Sequence, residues 1–173
     1  AAAEGVRKSR GWRQGERENV RAGVACVVQH EPWQPVLDTR DCRVARLRHH
    51  GGADALGWPD VGPPIRASFD ATPASAPWMI HLAEGTDAVA AAELRELEAL
   101  GCLAANTVLV HGVGMQASDV ERVIARGAAV VWCPSSNLAL LGRTLDPRPL
   151  QAVGRVALGS DSRLSGARDL LEE

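Results

Sequence analysis

Tyrosine is absent from this sequence of 173 residues, phenylalanine occurs only once, at Phe69, and tryptophan occurs five times, so aromatic residues make up 3% of the chain. So few aromatic rings leave little surface on which the bases of a nucleic acid could stack. The 19 basic residues are outnumbered by 21 acidic ones, which gives a net charge of −2 at neutral pH. Such a chain lacks the excess positive charge that attracts nucleic acids or anionic membrane surfaces. We therefore expect neither a nucleic acid nor a membrane among its partners.

Long apolar segments are missing as well. No run approaches the ~20 apolar residues that a membrane-spanning helix needs. Residues 1–10 lack the apolar stretch of a secretory signal, so no targeting segment is predicted. The four cysteines, at positions 26, 42, 102 and 133, form no C-x-x-C pair. We therefore expect reduced thiols and a cytoplasmic protein.

Three familiar ligand-binding loops do not occur: the G-x-G-x-x-G loop, the Walker loop and the G-x-S-x-G turn. Their absence argues against a doubly wound domain with a ligand at its switch point, which stays the weakest alternative. Length excludes a complete (β/α)8 barrel, because that fold needs about 250 residues and rarely fewer than about 200. A chain of 173 residues can hold only part of one.

The second half of the sequence alternates apolar strands with amphipathic helices. Strands are predicted at 78–81, 107–111, 129–133 and 156–159, and each is apolar almost throughout. Helices are predicted over 86–100 and from a capping box at 118–121 to Gly127. Strands that are apolar on both faces and alternate with helices indicate an α/β fold with a parallel sheet.

The first half is less regular. A helix is predicted over 16–22, and short strands over 24–28 and 43–48. The segment 51–77 is rich in proline and glycine, which predicts an irregular connection or a seam. We therefore interpret residues 1–173 as one partial barrel, with early strands in 1–50 and later strands with their helices in 78–173.

Polar residues follow the predicted strands of the second half. His81, His111 and Asp161 each stand at or just after a strand end, and Glu84 lies three residues beyond His81. The carboxyl ends of parallel strands meet at one rim, so we expect these side chains to converge. Imidazole nitrogens and a carboxylate suit Zn²⁺ or Fe²⁺, and Glu84 could act beside a bound water.

Four segments carry a family resemblance, in the order in which they occur. They are His81-Leu82-Ala83-Glu84, Val108-Leu109-Val110-His111-Gly112-Val113, Trp132-Cys133-Pro134-Ser135-Ser136-Asn137 and Ala157-Leu158-Gly159-Ser160-Asp161-Ser162. Together they resemble the metal-dependent amidohydrolases, above all the branch with the cytosine, guanine and S-adenosylhomocysteine-type deaminases and the triazine chlorohydrolases. The resemblance covers residues 78–173 and implies an incomplete (β/α)8 TIM-type barrel.

The resemblance implies roles for four residues. His81 and Asp161 would bind one divalent metal ion, zinc in the first place or iron. Glu84 would shuttle a proton from water to the leaving nitrogen, and Asp161 would also accept a proton from the water. His111 would orient the substrate or the attacking water. A metal-bound water is acidified towards neutrality, which makes it a nucleophile.

Substrate contacts are implied for His111 and for the segment after the third of these strands. Ser135 and Asn137 would border the substrate pocket, although the residues around them could equally form a simple turn. Cys133 has no marked base or oxyanion hole beside it, so a buried packing thiol is favoured over a nucleophile.

One element of the family pattern is missing. The family has a His-x-His pair at its first barrel strand, and none of the five histidines here forms such a pair. The expected activity is hydrolytic deamination of a small nitrogen heterocycle by a metal-activated water. The alternative is a catalytically inactive remnant that serves as a structural or oligomerising module. An open partial barrel exposes strand edges, so we expect a homo-oligomer.

Overall fold

A computed structural model describes residues 2–28, 44–57 and 64–173 of the chain. The chain divides into two compact units. The first unit comprises residues 1–48 and 168–172, and the second comprises residues 49–167 with Glu173. No helix in the described part of the chain combines the length and the apolar character needed to cross a membrane. That both units belong to a single partial barrel stays a prediction.

The described residues of the first unit form one helix and a pair of short parallel strands. Helix α1 spans Ala2–Arg21, strand β1 Cys26–Val28 and strand β2 Ala45–Leu47. In the register of this pair, Cys26 lies opposite Ala45. The two predicted strands are confirmed over these shorter bounds. The helix begins far before the predicted residue 16.

The second unit is built on a five-stranded parallel sheet. Its strands lie side by side in chain order. They are β3 (Gly51–Ala55), β4 (Trp78–Leu82), β5 (Thr107–His111), β6 (Ala129–Trp132) and β7 (Val156–Leu158). Sequential parallel strands joined by helices are the arrangement of a (β/α)8 barrel, of which this sheet forms a part. The predicted α/β class and parallel sheet are confirmed.

The described residues of the second unit also form five helices. They are α2 (Ile65–Ala71), α3 (Ala88–Ala99), α4 (Ala117–Arg126), α5 (Pro134–Leu141) and α6 (Arg148–Ala152). Helix α3 begins where Asp87 accepts a hydrogen bond from the backbone N–H of Ala90. Helix α4 ends at Gly127, whose φ of 73° is the left-handed conformation that glycine adopts without strain.

The core lies between the sheet and its helices. Alternate residues of β4, namely Trp78, Ile80 and Leu82, are fully buried, and they join one apolar cluster with Leu94 and Leu97 of α3. Every second residue of β5 is buried in the same way. This alternation fixes the register of the strands, because a shift by one residue would expose the buried set. The register places Leu82 opposite His111.

The segment 51–77 is not irregular throughout, and this prediction was wrong for the residues that form one strand and one helix. Residues Gly51–Ala55 form β3, and Ile65–Ala71 form α2. The five residues of β3 have no β-branched side chain, and their strand conformation comes from pairing with β4, where Gly51 lies opposite Trp78. Residues 58–63 lie outside the described residues. The described residues therefore form seven strands rather than the six predicted.

Two helix predictions also need correction. The capping box of α4 is formed by Gln116 and Asp119 rather than by Ser118 and Glu121. The residues after β6 form helix α5 and not a turn, because Pro134 occupies a first-turn position where its missing N–H is not needed. Helix α6 was not predicted.

Candidate active site

The carboxyl ends of the strands in the second unit bring the predicted residues to one rim. His81 is the second-last residue of β4, and His111 is the last residue of β5. Asp161 follows β7 after a short loop. In the register of the sheet, His81 lies opposite Val110, one residue before His111. The two imidazole rings lie 5.7 Å apart between centroids and are inclined by 26°, so they stack. The structure thus brings the two histidines together.

Three residues of this rim have a left-handed backbone. Ala83, His111 and Asp161 have φ values of 53°, 75° and 50°, and they are the only non-glycine residues with positive φ in the described part of the chain. Each such residue costs of order 1–3 kcal/mol, and the conformation persists only where the surrounding structure imposes it. Strained backbone is concentrated at functional sites more often than elsewhere. Its restriction to this rim marks the rim as the candidate active site.

His81 is held by the neighbouring strand. Its Nδ1 lies 2.9 Å from the backbone carbonyl oxygen of Asp54 in β3. A carbonyl oxygen only accepts hydrogen bonds, so Nδ1 carries the proton that it donates. In the neutral ring Nε2 then has the lone pair, and it is the nitrogen that could bind a metal ion.

His111 is buried, with 1% of its surface exposed. Its Nδ1 lies 2.9 Å from Oδ1 of Asn137 in α5. Its Nε2 lies 3.6 Å from Oε2 of Glu84, a side chain that is 39% exposed. Two of the predicted catalytic residues therefore meet, although Glu84 comes from the loop after β4 and His111 from the end of β5.

Asp161 is exposed and is held by two serines. The buried hydroxyl of Ser136 donates a hydrogen bond to Oδ2 of Asp161. The hydroxyl of Ser165 lies 3.4 Å from the same oxygen and 3.0 Å from the hydroxyl of Ser136. These contacts fix the carboxylate at the end of β7.

A cavity of about 400 Å³ opens beside His81 and Glu84. A volume of this size falls within the range of small-molecule sites. Its lining is strongly acidic and consists of Asp54, Ala55, Gly57, His81, Glu84 and Glu93.

Glu93 lines the cavity and also contacts the strained backbone. Its carboxylate accepts a hydrogen bond from the backbone N–H of Ala83, which lies between His81 and Glu84 in the chain. Burial raises the pKa of Glu93 above its usual value, and the hydrogen bond from Ala83 opposes that shift. The side chain therefore supports the loop that presents Glu84.

Cys133 is a buried thiol at the end of β6. Burial, followed by the nearby charge of Asp161, raises its pKa to about 12. A nucleophilic cysteine needs a lowered pKa, so the environment of Cys133 is that of a packing residue. Cys26, Cys102 and Cys133 are free thiols, and Cys42 lies outside the described residues.

The two predicted substrate contacts in α5 have other partners in the structure. Asn137 is buried against His111, and the backbone N–H of Ser135 donates to the carboxylate of Glu173. Neither residue lines the cavity described above. Their contact with a substrate stays a prediction.

Sequence reasoning missed Asp54 and Glu93, and it considered Ser136 only as part of a pocket border or a turn, without its contact to Asp161. Asp54 lay in a segment predicted to be irregular, and Ser136 in a segment that could have been a simple turn. Glu93 stands on the buried side of a predicted helix, close in space to the H-x-x-E loop. The sequence did contain one indication of a role for Glu93: it is an acidic residue one helical turn before Leu97, on the face of the helix that is predicted to be buried.

The predicted divalent metal ion can be tested against the side chains present. Zinc sites in enzymes use three or more protein ligands. Within residues 2–28, 44–57 and 64–173, no group of three or more His, Cys, Asp or Glu side chains is arranged to hold an ion. These residues therefore do not form a complete metal centre by themselves.

No protein-family model matches the chain. An aminodeoxyfutalosine deaminase from Deinococcus radiodurans is 47% identical over 74 residues, which are 42% of this chain and 18% of that protein. A 5-methylthioadenosine/S-adenosylhomocysteine deaminase from Pyrococcus abyssi is 32% identical over 106 residues, which are 54% of this chain and 24% of that protein. The chain therefore spans only 18–24% of the length of these two curated relatives.

Among solved structures, an adenosine deaminase from Xanthomonas campestris with bound zinc superimposes on the chain with a TM-score of 0.54. The match covers 76% of this chain and 31% of that chain, at 24% sequence identity. At this identity the likeness concerns the fold alone. It agrees with the sequential parallel sheet of the second unit, which is part of an incomplete barrel.

Proposed function

We propose that this chain is part of an amidohydrolase-type barrel and carries the proton-transferring residues of a hydrolase active site, a proposal supported by the deaminases that it resembles over part of their length. The substrate proposed is a small nitrogen heterocycle, and the reaction is hydrolytic removal of its amino group or another leaving group. One observation carries this proposal. Oε2 of Glu84 lies 3.6 Å from Nε2 of His111, and Glu84 lines a cavity of about 400 Å³.

Hydrolytic deamination replaces the amino group of the substrate with the hydroxyl group of a water molecule. A water oxygen adds to the ring carbon that bears the amino group, and the carbon–nitrogen bond then breaks. One water hydrogen moves to the leaving nitrogen, which departs as ammonia, and the hydroxyl stays on the carbon. A group that first accepts and then donates a proton is needed on the path between the two atoms.

Glu84 is placed for that transfer. Its side chain is partly exposed to the cavity, where a substrate and a water can reach it, while its Oε2 faces His111. Positioned general acid–base groups typically contribute a factor of about 10²–10⁴ to the rate. His111, which is buried and bonded to Asn137, is proposed to orient the substrate or the water.

Asp161 is proposed to accept a proton from the attacking water and to act as a metal ligand together with His81. The two serine contacts hold its carboxylate through Oδ2. A divalent ion bound there would need further ligands from outside the described residues. When bound, such an ion would acidify a water molecule.

Ammonia release from a panel of aminopurines and aminopyrimidines tests the proposal, with zinc or iron(II) added to the 173-residue chain. Glu84→Gln keeps the size of the side chain and removes its proton transfer, so we expect a loss of at least about 100-fold in kcat. Glu96→Gln on α3 is the matched control, because Glu96 is exposed and outside the cavity lining. An unchanged kcat in Glu84→Gln would contradict the role proposed for Glu84.

The second candidate is a catalytically inactive module. It is favoured by the lack of a three-ligand cluster among the residues that the structure describes. Metal analysis after dialysis separates the two candidates. About one equivalent of retained zinc or iron, lost in Asp161→Asn and kept in Asp146→Asn, supports the hydrolase. No retained metal together with no ammonia release from any compound supports the inactive module.

We also propose that the chain forms a homo-oligomer and is cytoplasmic. Strand β7 is the last strand of its sheet, and Leu158 in it is 41% exposed. An exposed apolar edge strand favours pairing with another chain, so we propose a homo-oligomer that light scattering can test. The three cysteines in the described residues are free, which is typical of a cytoplasmic protein.

A further inference from the structure

We propose that Asn137 is a positioning residue that fixes His111 in its Nδ1–H tautomer, so that Nε2 faces Glu84 as a hydrogen-bond acceptor. The inference rests on the proposed function only for its catalytic consequence. The tautomer itself is a property of the folded chain and can be measured without substrate or metal.

The hydroxyl of Thr144 has two nitrogen neighbours, and one of them belongs to Trp132, the last residue of β6. Its indole N–H can only donate, and it lies 2.8 Å from Oγ1 of Thr144. The amide nitrogen of Asn137 lies 3.0 Å from the same hydroxyl oxygen. A hydroxyl oxygen has two lone pairs, so Thr144 can accept from both donors. In the structure the amide nitrogen of Asn137 faces Thr144, and its amide oxygen faces His111.

The amide oxygen of Asn137 then faces the imidazole of His111. Oδ1 lies 2.9 Å from Nδ1, and an amide oxygen only accepts hydrogen bonds. Nδ1 must therefore carry the proton. The hydrogen bond made by one ring nitrogen decides the state of the other, so in the neutral ring Nε2 has the lone pair.

Burial makes this arrangement rigid. His111 and Asn137 are each 1% exposed, so solvent does not compete for their hydrogen bonds. Asn137 lies in the first turn of α5, where its backbone N–H donates to the carbonyl of Cys133 at 3.0 Å. Strand β6, which leads into α5, is the direct neighbour of β5 in the sheet. The side chain thus reaches His111 from an adjacent strand end.

The tautomer decides what the pair of His111 and Glu84 can bind. If Nε2 carried the proton, it would donate a hydrogen bond to the Glu84 carboxylate. The two side chains would then be each other's hydrogen-bond partners. With the proton on Nδ1, Nε2 and Oε2 are two acceptors 3.6 Å apart. Two acceptors at this distance attract a group with N–H or O–H donors, such as the amino group of a heterocycle or a water molecule. The pair is then a binding site for a hydrogen-bond donor.

Nitrogen-15 NMR of the uniformly labelled 173-residue chain tests the proposal. His111→Gln identifies the ring signals by their loss. The spectrum is recorded about two pH units above the ordinary imidazole pKa of about 6.5. We expect a pyrrole-type shift at Nδ1 and a pyridine-type shift at Nε2. The reverse pattern in the wild-type chain, or a doubly protonated ring at that pH, would overturn the proposal.

Three variants separate positioning from a general structural role. Asn137→Leu removes the acceptor, and the proton is expected to move to Nε2, where Glu84 is the remaining partner. Asn137→Asp retains an acceptor oxygen at that place, so Nδ1 is expected to carry a proton again, either in the neutral ring or in the doubly protonated one that two carboxylates favour. Ser136→Ala is the matched control, since Ser136 is equally buried in the same turn but bonds to Asp161. A His111 tautomer that Asn137→Leu leaves unchanged would contradict the proposal.

The outcome is independent of the hydrolase assay. A chain that releases no ammonia can still show the Nδ1–H form, which would uphold this inference while rejecting the proposed function. Where activity is present, Asn137→Asp is expected to retain more of kcat than Asn137→Leu. An Nε2–H form in an active chain would reject the inference and leave the function standing.

Discussion

The carboxylate of Glu93 accepts a hydrogen bond from the backbone N–H of Ala83, a residue with no exposed surface and a φ of 53°. Glu93 belongs to α3, and Ala83 stands between His81 and Glu84 in the loop that follows β4. Without Glu93 this buried N–H would lose the acceptor seen in the structure. The helix therefore stabilises a strained backbone on which a proposed catalytic residue is mounted.

Two substitutions of Glu93 measure the contribution of this hydrogen bond to stability, because both remove the charge of the side chain and only one removes the acceptor. Glu93→Gln keeps an oxygen that can accept from Ala83, whereas Glu93→Ala leaves the buried N–H unsatisfied. An unsatisfied buried donor costs about 1–3 kcal/mol, so Glu93→Ala should be less stable than Glu93→Gln by that amount. Urea denaturation measures the difference. The same pair of substitutions at the exposed Glu96 should differ by less than about 0.5 kcal/mol, and an equal difference at both positions would argue against the contact.

The raised pKa of Glu93 predicts a pH-dependent stability. Burial raises the pKa in the folded chain, so the folded state binds the proton more tightly than the unfolded state. Below the usual glutamate pKa of about 4.3, Glu93 is protonated in both states and its burial carries no charge penalty. As the pH rises through the raised pKa, the carboxylate becomes charged and the folded state is disfavoured.

The wild-type chain should therefore lose stability relative to Glu93→Gln as the pH rises from about 4 towards neutrality, and the difference should then stay constant. Urea unfolding of both chains at several pH values measures it. Glu121→Gln serves as the control, because Glu121 is exposed on α4 and is not among the charges that raise the pKa of Glu93, and this variant should follow the wild-type curve. A wild-type curve parallel to that of Glu93→Gln over the whole range would refute the shift.

The sequence pattern predicted β4 and β5 because each is an uninterrupted apolar run of strand length, as in Trp78–Leu82 and Thr107–His111. It could not predict β3, whose residues have low strand propensity. That strand exists because its backbone pairs with β4 at close range. A Cβ at Gly52 would lie 2.9 Å from the carbonyl oxygen of Met79, so only glycine fits there.

The site was predictable to the extent that it follows strand ends. His81 and His111 were expected at one rim because parallel strands in one sheet end on the same side. The contacts that hold them were not predictable, since they depend on tertiary register. Asn137 reaches His111 only because α5 starts directly after β6, and Glu93 reaches Ala83 only because α3 packs on β4. A single polar residue on a helix does not indicate, from one sequence alone, which distant residue it will contact.

Ala83→Gly should be tolerated, in contrast to most substitutions of a buried residue. Ala83 has a φ of 53°, and a left-handed backbone costs a non-glycine residue about 1–2 kcal/mol. Glycine removes this cost and loses about 0.8 kcal/mol of methyl burial. Glycine also has about 0.4–1 kcal/mol more conformational freedom to lose on folding. These contributions nearly cancel, so the free energy of unfolding should change by less than about 1 kcal/mol. Ala90→Gly, in the buried face of α3, is the control and should lose about 1–2 kcal/mol. An equal loss at both positions would contradict a strained Ala83.

Cys133 should resist thiol reagents in the folded chain. With a pKa of about 12, its thiolate fraction at pH 8 is roughly a thousandfold below that of an ordinary cysteine with a pKa of about 8.5. The chain with Cys26→Ser and Cys42→Ser retains two thiols, at Cys102 and Cys133, which are both buried. Burial raises the pKa of Cys102 as well. Titration with an aromatic disulfide should therefore detect no fast-reacting thiol before denaturant is added and two afterwards. A fast native reaction that Cys133→Ser abolishes would show that the thiol is activated, and it would return Cys133 to the candidates for a nucleophile.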